Sequence, residues 1–196
     1  CIKPQLLILF PLVLIFSRQW QVLLSFIISS ICLAIGSTVV LGMDVWSAFL
    51  SGLAEAQHYL ETDIPLARMP TVFALVRQAG GSLPLAYASH ATVAAIALAT
   101  LLQIWSRSQC LRIRASGLVA ATLLISPYLF DYDLVWHLLP IAWLYQLGNN
   151  HGWRYGERLI LCLTWMLLLY IKLILYLLTG KVILIGAVMS LALLWM

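Results

Sequence analysis

Charge is what this sequence has least of. Asp, Glu, Lys and Arg make up 9% of the 196 residues, against about 25% in a soluble globular domain. With 63% hydrophobic residues, the chain has too few polar side chains to coat a water-facing surface, and a soluble domain is excluded. Cysteine is sparse and unpatterned: Cys1, Cys32, Cys110 and Cys162 show no CxxC spacing, so neither a disulfide framework nor a zinc site is expected. They read as small buried hydrophobes. The chain has no GxSxG, no Walker loop and no HExxH, which excludes the corresponding soluble hydrolase, nucleotidase and zinc-protease chemistries. No metal and no cofactor are expected. The formal net charge of +4 does not point to nucleic acid, because the basic residues are scattered between apolar runs rather than clustered with aromatics on one face.

Apolar runs fill the space that charge leaves. Counted in spans of about 20 residues, they predict an all-α polytopic transmembrane bundle of six or seven helices, a single membrane domain over residues 1–196. The segments are Leu6 to Phe16, ended by Arg18; Val22 to Leu41, stopped at Gly42; Leu85 to Trp105; Ala115 to Ile125; Leu134 to Leu147, with a kink expected at Pro140; Leu159 to Leu178; and Val182 to Met196. A tight turn at Thr179-Gly180-Lys181 joins the last two. Ala91, Ala95 and Ala99 recur at the small-xxx-small spacing that lets membrane helices approach closely, which predicts an interior helix. The chain opens on Cys1 and Lys3-Pro4-Gln5 with no signal-peptide pattern, and it is read as a fragment whose N-terminal part is missing.

Residues 43–82 form the one long loop, and its charge is acidic. Val45, Trp46, Phe49, Leu50 and Leu53 recur there at helical spacing behind Asp44, a helix lying in the interface with Trp46 at headgroup level. A second short helix starts near Pro70 and ends at Gly80-Gly81. If successive segments alternate across the membrane, one side receives Arg18, Arg107, Arg112, Arg114, Arg154 and Arg158, opposed only by Glu157. By the positive-inside rule that side is cytoplasmic. Loop 43–82, Lys3, Arg68, Arg77 and Lys181 then share the outer side of a cell inner (plasma) membrane with Asp131 and Asp133.

Those aspartates sit in the most unusual stretch, Ser126 to Trp136 (SPYLFDYDLVW). A carboxylate in or beside hydrocarbon costs about 2–4 kcal/mol even on lenient insertion scales. Pro127 removes an N–H and pushes Ser126 out of the α region, so the preceding helix stops or kinks there. Two carboxylates at i, i+2 in a non-helical stretch do not face the same way, which argues against a shared-proton dyad. Asp131 and Asp133 are candidates for general base, metal ligand or acceptor of a sugar hydroxyl, with an exposed polar turn as the plain alternative. Tyr128, Phe130, Tyr132 and Trp136 surround them as sugar-stacking or interfacial aromatics would. Lys3, Arg68 and Arg77 are candidates for meeting a lipid phosphate, against snorkelling or solvated cations. His90 and His137, inside apolar runs, read first as packed hydrogen-bonding residues and second as catalytic ones.

Three stretches together resemble the multi-span glycosyltransferases of family 87, the DUF2029 group, which use polyprenyl-phosphate sugars. They are Lys3-Pro4-Gln5 with Arg18-Gln19-Trp20, the loop Met69-Pro70-Thr71-Val72-Phe73-Ala74, and Ser126 to Leu134. In one branch the last motif reads Ser-Pro, a few residues, then His-His-Trp-Val-Trp. Here Ser126, Pro127, Val135 and Trp136 agree, and Tyr132 and Asp133 stand in place of the histidines. The resemblance implies a GT-C bundle with its active site on the outer face, a polyprenyl-phosphate-linked sugar (mannose-type, hexosyl) as donor and a lipid or glycan acceptor. It also implies a catalytic aspartate in a first outer loop, upstream of Cys1. Asp133 and Asp131 are then the catalytic candidates within this chain, and Lys3, Gln5, Arg68, Arg77, Tyr128, Tyr132, Trp136 and His137 the substrate-binding ones. The rivals are a secondary transporter, which would show inverted repeats and midplane charges, and a non-catalytic membrane scaffold.

The charge asymmetry fixes a testable orientation. A cysteine placed at Ser51 is labelled from outside by an impermeant maleimide, and one placed at Ser108 is not. The opposite pattern would invert the topology.

Overall fold

A computed structural model describes residues 4–62, 66, 69–166 and 185–195. Among these the fold is all-helical, in chain order a 3₁₀ turn (Pro4–Leu7), α1 (Leu9–Phe16), α2 (Trp20–Leu41), α3 (Asp44–Thr62), α4 (Val72–Gln78), α5 (Leu83–Arg107), α6 (Leu111–Ile125), a second 3₁₀ helix (Asp131–His137), α7 (Leu138–His151), α8 (Glu157–Met166) and α9 (Ile185–Trp195). Two described helices, α2 with 22 residues and α5 with 25, are long and apolar enough to cross a membrane. The turn expected at residues 179–181 lies outside the described residues, as do Lys3 and Arg68. By its contacts the chain divides into two compact units, Phe10–Ile64 and Cys1–Leu9 with Pro65–Met196.

In the first unit, α1 ends because Arg18 takes a left-handed conformation (φ 54°). The reversal lets Gln19 N–H reach back to the Leu14 carbonyl at 2.9 Å and Arg18 N–H to Ile15 at 3.0 Å, satisfying carbonyls that the end of a helix otherwise leaves open. Phe10 meets Phe26 of α2 edge-on, with ring centroids 5.4 Å apart. α2 stops at Gly42, as expected, and α3 carries Asp44 in its first turn, where the positive end of the helix dipole favours a carboxylate. Trp46, expected at headgroup level, donates its indole N–H to Thr38 Oγ1 at 2.8 Å and so ties α3 to the end of α2.

The second unit is built on the α5–α6 hairpin. Thr71 caps α4 by accepting Ala74 N–H at 3.2 Å, and Ser82 caps α5 with Pro84 in the first turn, where proline costs no hydrogen bond. The expected seam of Ala91, Ala95 and Ala99 is corrected: all three are exposed. α5 instead buries Ala86, His90, Ala97, Leu101 and Trp105. The reason lies on the partner helix. α6 supplies the small residues, and a Cβ on Gly117 would come within 3.2 Å of Ile104 and 3.7 Å of Leu101, so the large side chains of α5 enter where α6 is bare. The far end of the hairpin is closed by Arg114, whose guanidinium donates to the Trp105 carbonyl at 2.9 Å and lies over the Trp105 ring.

α7 returns alongside α6, and α9 packs against α6. The helix expected from Leu134 onward is divided ahead of Pro140, where the 3₁₀ helix gives way to α7. α7 begins at Leu138, so Pro140 occupies a first-turn position whose N–H has no intrahelical acceptor in any case. Cys32 and Cys162 are exposed and Cys110 half-buried, which corrects the reading of the cysteines as buried packing residues.

The corrected seam predicts opposite outcomes for two substitutions of similar size. Gly117→Leu overpacks the α5–α6 contact and costs about 1–3 kcal/mol, lowering the melting temperature in detergent. Ala95→Leu leaves it unchanged.

Candidate functional site

Residues 126–137 take their shape from two prolines. Pro127 has no N–H for the Leu123 carbonyl, so α6 ends at Ile125 and Ser126 is extended (ψ 115°). Pro140 likewise has no N–H for the Trp136 carbonyl, which the N–H of Leu138 takes instead. Between them the chain winds as a 3₁₀ helix of seven residues, Asp131–His137, longer than the usual three or four. This replaces the non-helical turn expected from sequence. In a 3₁₀ helix residues at i and i+3 eclipse, and the consequence shows in burial. Leu134 and His137 face inward, below the half-buried Asp131, while Tyr132 (59% exposed) and Val135 face outward; the third row is split, with Asp133 buried and Trp136 (47%) exposed.

The two aspartates therefore sit differently. Asp133 is 4% exposed, and its Oδ2 accepts Phe130 N–H at 2.9 Å while its own N–H donates to the Phe130 carbonyl at 3.0 Å. This reciprocal box starts the 3₁₀ helix. Asp131, one turn earlier, is half-buried. The rings of Phe130 and Tyr132 stack in parallel at 5.6 Å. His137, expected among the substrate-binding residues, is fully buried with both ring nitrogens engaged. Nδ1 faces the Leu134 carbonyl at 3.0 Å and must donate to it, so in the neutral ring Nε2 accepts from the Ser190 hydroxyl of α9 at 2.8 Å.

Three stretches distant in sequence meet here. Leu6, next to Gln5 in the first 3₁₀ turn, packs with Val119 against the buried cluster of Leu123, Leu129 and Leu134. The loop leading into α4 arrives through Phe73, whose ring lies 5.8 Å from Tyr128 and 4.8 Å from Tyr87. The hydroxyls of Tyr87 and Tyr128 are hydrogen-bonded. His90 donates from Nε2 to the Ile125 carbonyl at 3.0 Å. The void between these elements, lined by Pro70, Thr71, Val72, His90, Leu123 and Leu124, is only about 10 Å³, no more than one water. A sugar has to approach the turn from its exposed side. Arg77 is half-buried and donates to the Gly81 carbonyl at 3.0 Å, so it also braces the end of α4.

Sequence reading missed Tyr87, and it noted Phe73 and Thr71 only as part of the Met69–Ala74 stretch that resembles the family. The signal for Tyr87 was available: it stands at i, i+3 from His90 on α5, so the two share one face of the helix.

An all-helical chain with two membrane-length helices and an acidic, aromatic turn at a helix break has the makings of a membrane enzyme acting on a polar substrate. The comparison of sequences gives the class. The sequence model of glycosyltransferase family 87 matches residues 1–127, and the chain belongs to that family. It is thus a membrane glycosyltransferase in kind, working between a sugar donor and an acceptor. The match takes in Pro4, Gln5, the Met69–Ala74 loop and Ser126-Pro127, and it ends before Asp131 and Asp133. No curated protein and no solved structure matches the chain.

Two substitutions at Asp133 separate its structural from its chemical role. Asn keeps an oxygen for Phe130 N–H, since Asn and Asp cap about equally well, so Asp133→Asn melts within about 1 °C of the parent. If the charge serves transfer, its turnover falls about 10²-fold or more. Asp133→Ala loses the cap as well and costs a further ~1 kcal/mol in stability. Parental turnover in a folded Asp133→Asn would leave the residue a purely structural cap.

Proposed function

We propose that the chain is part of a multi-pass glycosyltransferase of GT-C type in the cell inner membrane. It moves a hexosyl group, mannose first among candidates, from a polyprenyl-phosphate donor to a lipid or glycan acceptor on the outer face. The observation that carries this reading is the convergence just described. Parts of the three stretches that resemble family 87 come together at one turn, where Leu6, beside Gln5, and Phe73, of the Met69–Ala74 stretch, reach Leu129, Leu134 and Tyr128.

The reaction asks for few groups. A hydroxyl oxygen of the acceptor attacks the anomeric carbon of the donor sugar, the bond from that carbon to the phosphate oxygen breaks, and polyprenyl phosphate leaves with the electron pair. The hydroxyl proton passes to a carboxylate. In this reading Asp131 and Asp133 orient the hydroxyl or assist that base, and Tyr132 and Trp136 offer ring faces to the apolar side of a sugar. Lys3, Gln5, Arg68 and Arg77 are the residues assigned to the donor phosphate in this reading. An arginine suits that task because its planar fork binds phosphate oxygens in pairs.

The test is transfer by the protein in native membranes, supplied with polyprenyl-phosphate-linked radiolabelled mannose or with a nucleotide-activated sugar. Label reaches a lipid or glycan acceptor from the first donor alone. Lys3→Gln and Arg68→Gln raise the half-saturating donor concentration about tenfold or more, as expected when a hydrogen bond to a charged group, worth about 1.5–3 kcal/mol, is lost, with little effect on expression. If both match the parent, the phosphate is held elsewhere, and Arg77 or Lys181 is the next residue to replace. Transfer from the nucleotide sugar alone would overturn the donor assignment.

A further inference from the structure

At the other end of the second unit, the turn between α7 and α8 builds a site that the transfer reaction does not use. Gly148 has no side chain, and Trp153 lies against it so closely that a Cβ there would come within 2.6 Å of the indole. Trp153 is held in place by an N–H bond to Asn149 Oδ1 at 3.2 Å and by the Tyr145 ring at 5.7 Å. The Arg158 guanidinium sits over the indole, 5.2 Å from the ring centre. Arg154 and Arg158 both line a polar cavity of about 530 Å³ at this turn. Glu157, the one nearby carboxylate in the sequence, is turned onto the backbone N–H of Arg154 at 2.9 Å. Among the described residues neither guanidinium is ion-paired.

The polar cavity does not stand alone. Asn149, Trp153 and Arg158 also line a second cavity of about 750 Å³, which continues between α7 and α8 along Ile141, Tyr145, Leu161 and Trp165. Tyr145 and Trp165 are about half exposed, on helices that pack into the same apolar bundle. One wall, Trp153, thus separates a doubly basic head pocket from an apolar groove.

We propose that this site binds an anionic phospholipid, with its phosphate between Arg154 and Arg158 and an acyl chain in the groove. Charge complementarity selects the headgroup, since two arginines, opposed only by a Glu157 that is engaged with the Arg154 backbone, favour a headgroup of net negative charge over a zwitterionic one. The groove selects a lipid over a soluble phosphate, which would fill the polar cavity alone. α7 has 14 residues at 1.5 Å each, so the site lies about 20 Å from the Asp131–His137 turn. The proposal therefore stands apart from the transfer reading.

Native mass spectrometry of the full chain, released from a neutral detergent, tests it with dioleoylphosphatidylglycerol and dioleoylphosphatidylcholine at equal concentration. The parent retains phosphatidylglycerol in preference to phosphatidylcholine. Arg154→Gln/Arg158→Gln loses that preference about 30-fold, from roughly fivefold per basic side chain, while Arg154→Lys/Arg158→Lys keeps most of it. Gly148→Leu displaces Trp153 and weakens retention of both lipids. Equal retention of the two lipids by the parent overturns the proposal without any variant being needed. So does displacement of phosphatidylglycerol by an equal concentration of glycerol phosphate, which would mark a site for soluble phosphate. Unchanged selectivity in a Gln/Gln variant with a parental melting temperature overturns it as well.

Discussion

A helix that ends inside apolar surroundings leaves backbone groups that water cannot reach, and each must find a partner within the protein. Pro127 creates that demand at the end of α6. In an uninterrupted helix the Ile125 carbonyl would take the N–H of Leu129. Here it takes Nε2–H of His90, supplied by the neighbouring helix. On the far side of the break the N–H of Phe130 is taken by Asp133. One break, repaired by one imidazole and one carboxylate, sets the geometry of everything that follows as far as α7. It also explains why polar residues stand in the middle of apolar runs, and it gives His90 and Asp133 a structural duty whatever else they do.

The same repair separates the turn into two faces. Its inner row is fixed by the leucine cluster and by His137, which spans to Ser190 of α9. With both ring nitrogens of His137 satisfied, rotation of the 3₁₀ helix would strand a buried donor and a buried acceptor, at a cost of about 1–3 kcal/mol each. Tyr132, Val135 and Trp136, on the outside of the turn, are thereby held in one orientation without being buried themselves. Binding surfaces gain from such an arrangement because the ordering cost is met before a ligand arrives.

What could be read from the sequence follows from how local each cause is. The stop at Ile125, the start of α4 behind Pro70 and its end at Gly80-Gly81, and the arrest of α2 at Gly42 each depend on a residue or two of backbone chemistry, and each is found where the sequence places it. The packing seam was not legible. Both α5 and α6 carry small residues at helical spacing, and periodicity in one chain does not say which helix yields to which. The fact that decides it, Gly117 against Ile104 and Leu101, joins positions on two different helices. The His90–Ile125 bond joins residues 35 apart, and the aromatic contacts that bring Phe73 to Tyr128 are as distant in the chain. Ahead of Pro140 the sequence did not show the form the chain takes, a 3₁₀ helix from Asp131 to His137 in place of an α-helical start at Leu134.

The unit's charge is sorted end to end by the same connectivity. α5 runs from Ser82 toward Arg107, α6 starts with Arg112 and Arg114 and leads back to the acidic turn, and α7 then carries the chain to Arg154 and Arg158. The reversals after α5 and α7 deposit arginines at one end, and the one after α6 deposits the two aspartates at the other. In a bilayer that sorting has consequences beyond orientation. A basic end attracts anionic headgroups, by about 1 kcal/mol per arginine near the surface, while the acidic end repels them and leaves its turn open to neutral sugars. A substrate that is itself lipid-anchored and anionic meets opposite fields at the two ends. Its phosphate then needs a cation of its own beside the acidic turn. Arg77, at the end of α4, is partly committed to the Gly81 carbonyl. Holding such a substrate at the turn therefore calls for a further cation, and in sequence Lys3 and Arg68 lie close to the two segments, the first 3₁₀ turn and the start of α4, that meet the turn through Leu6 and Phe73.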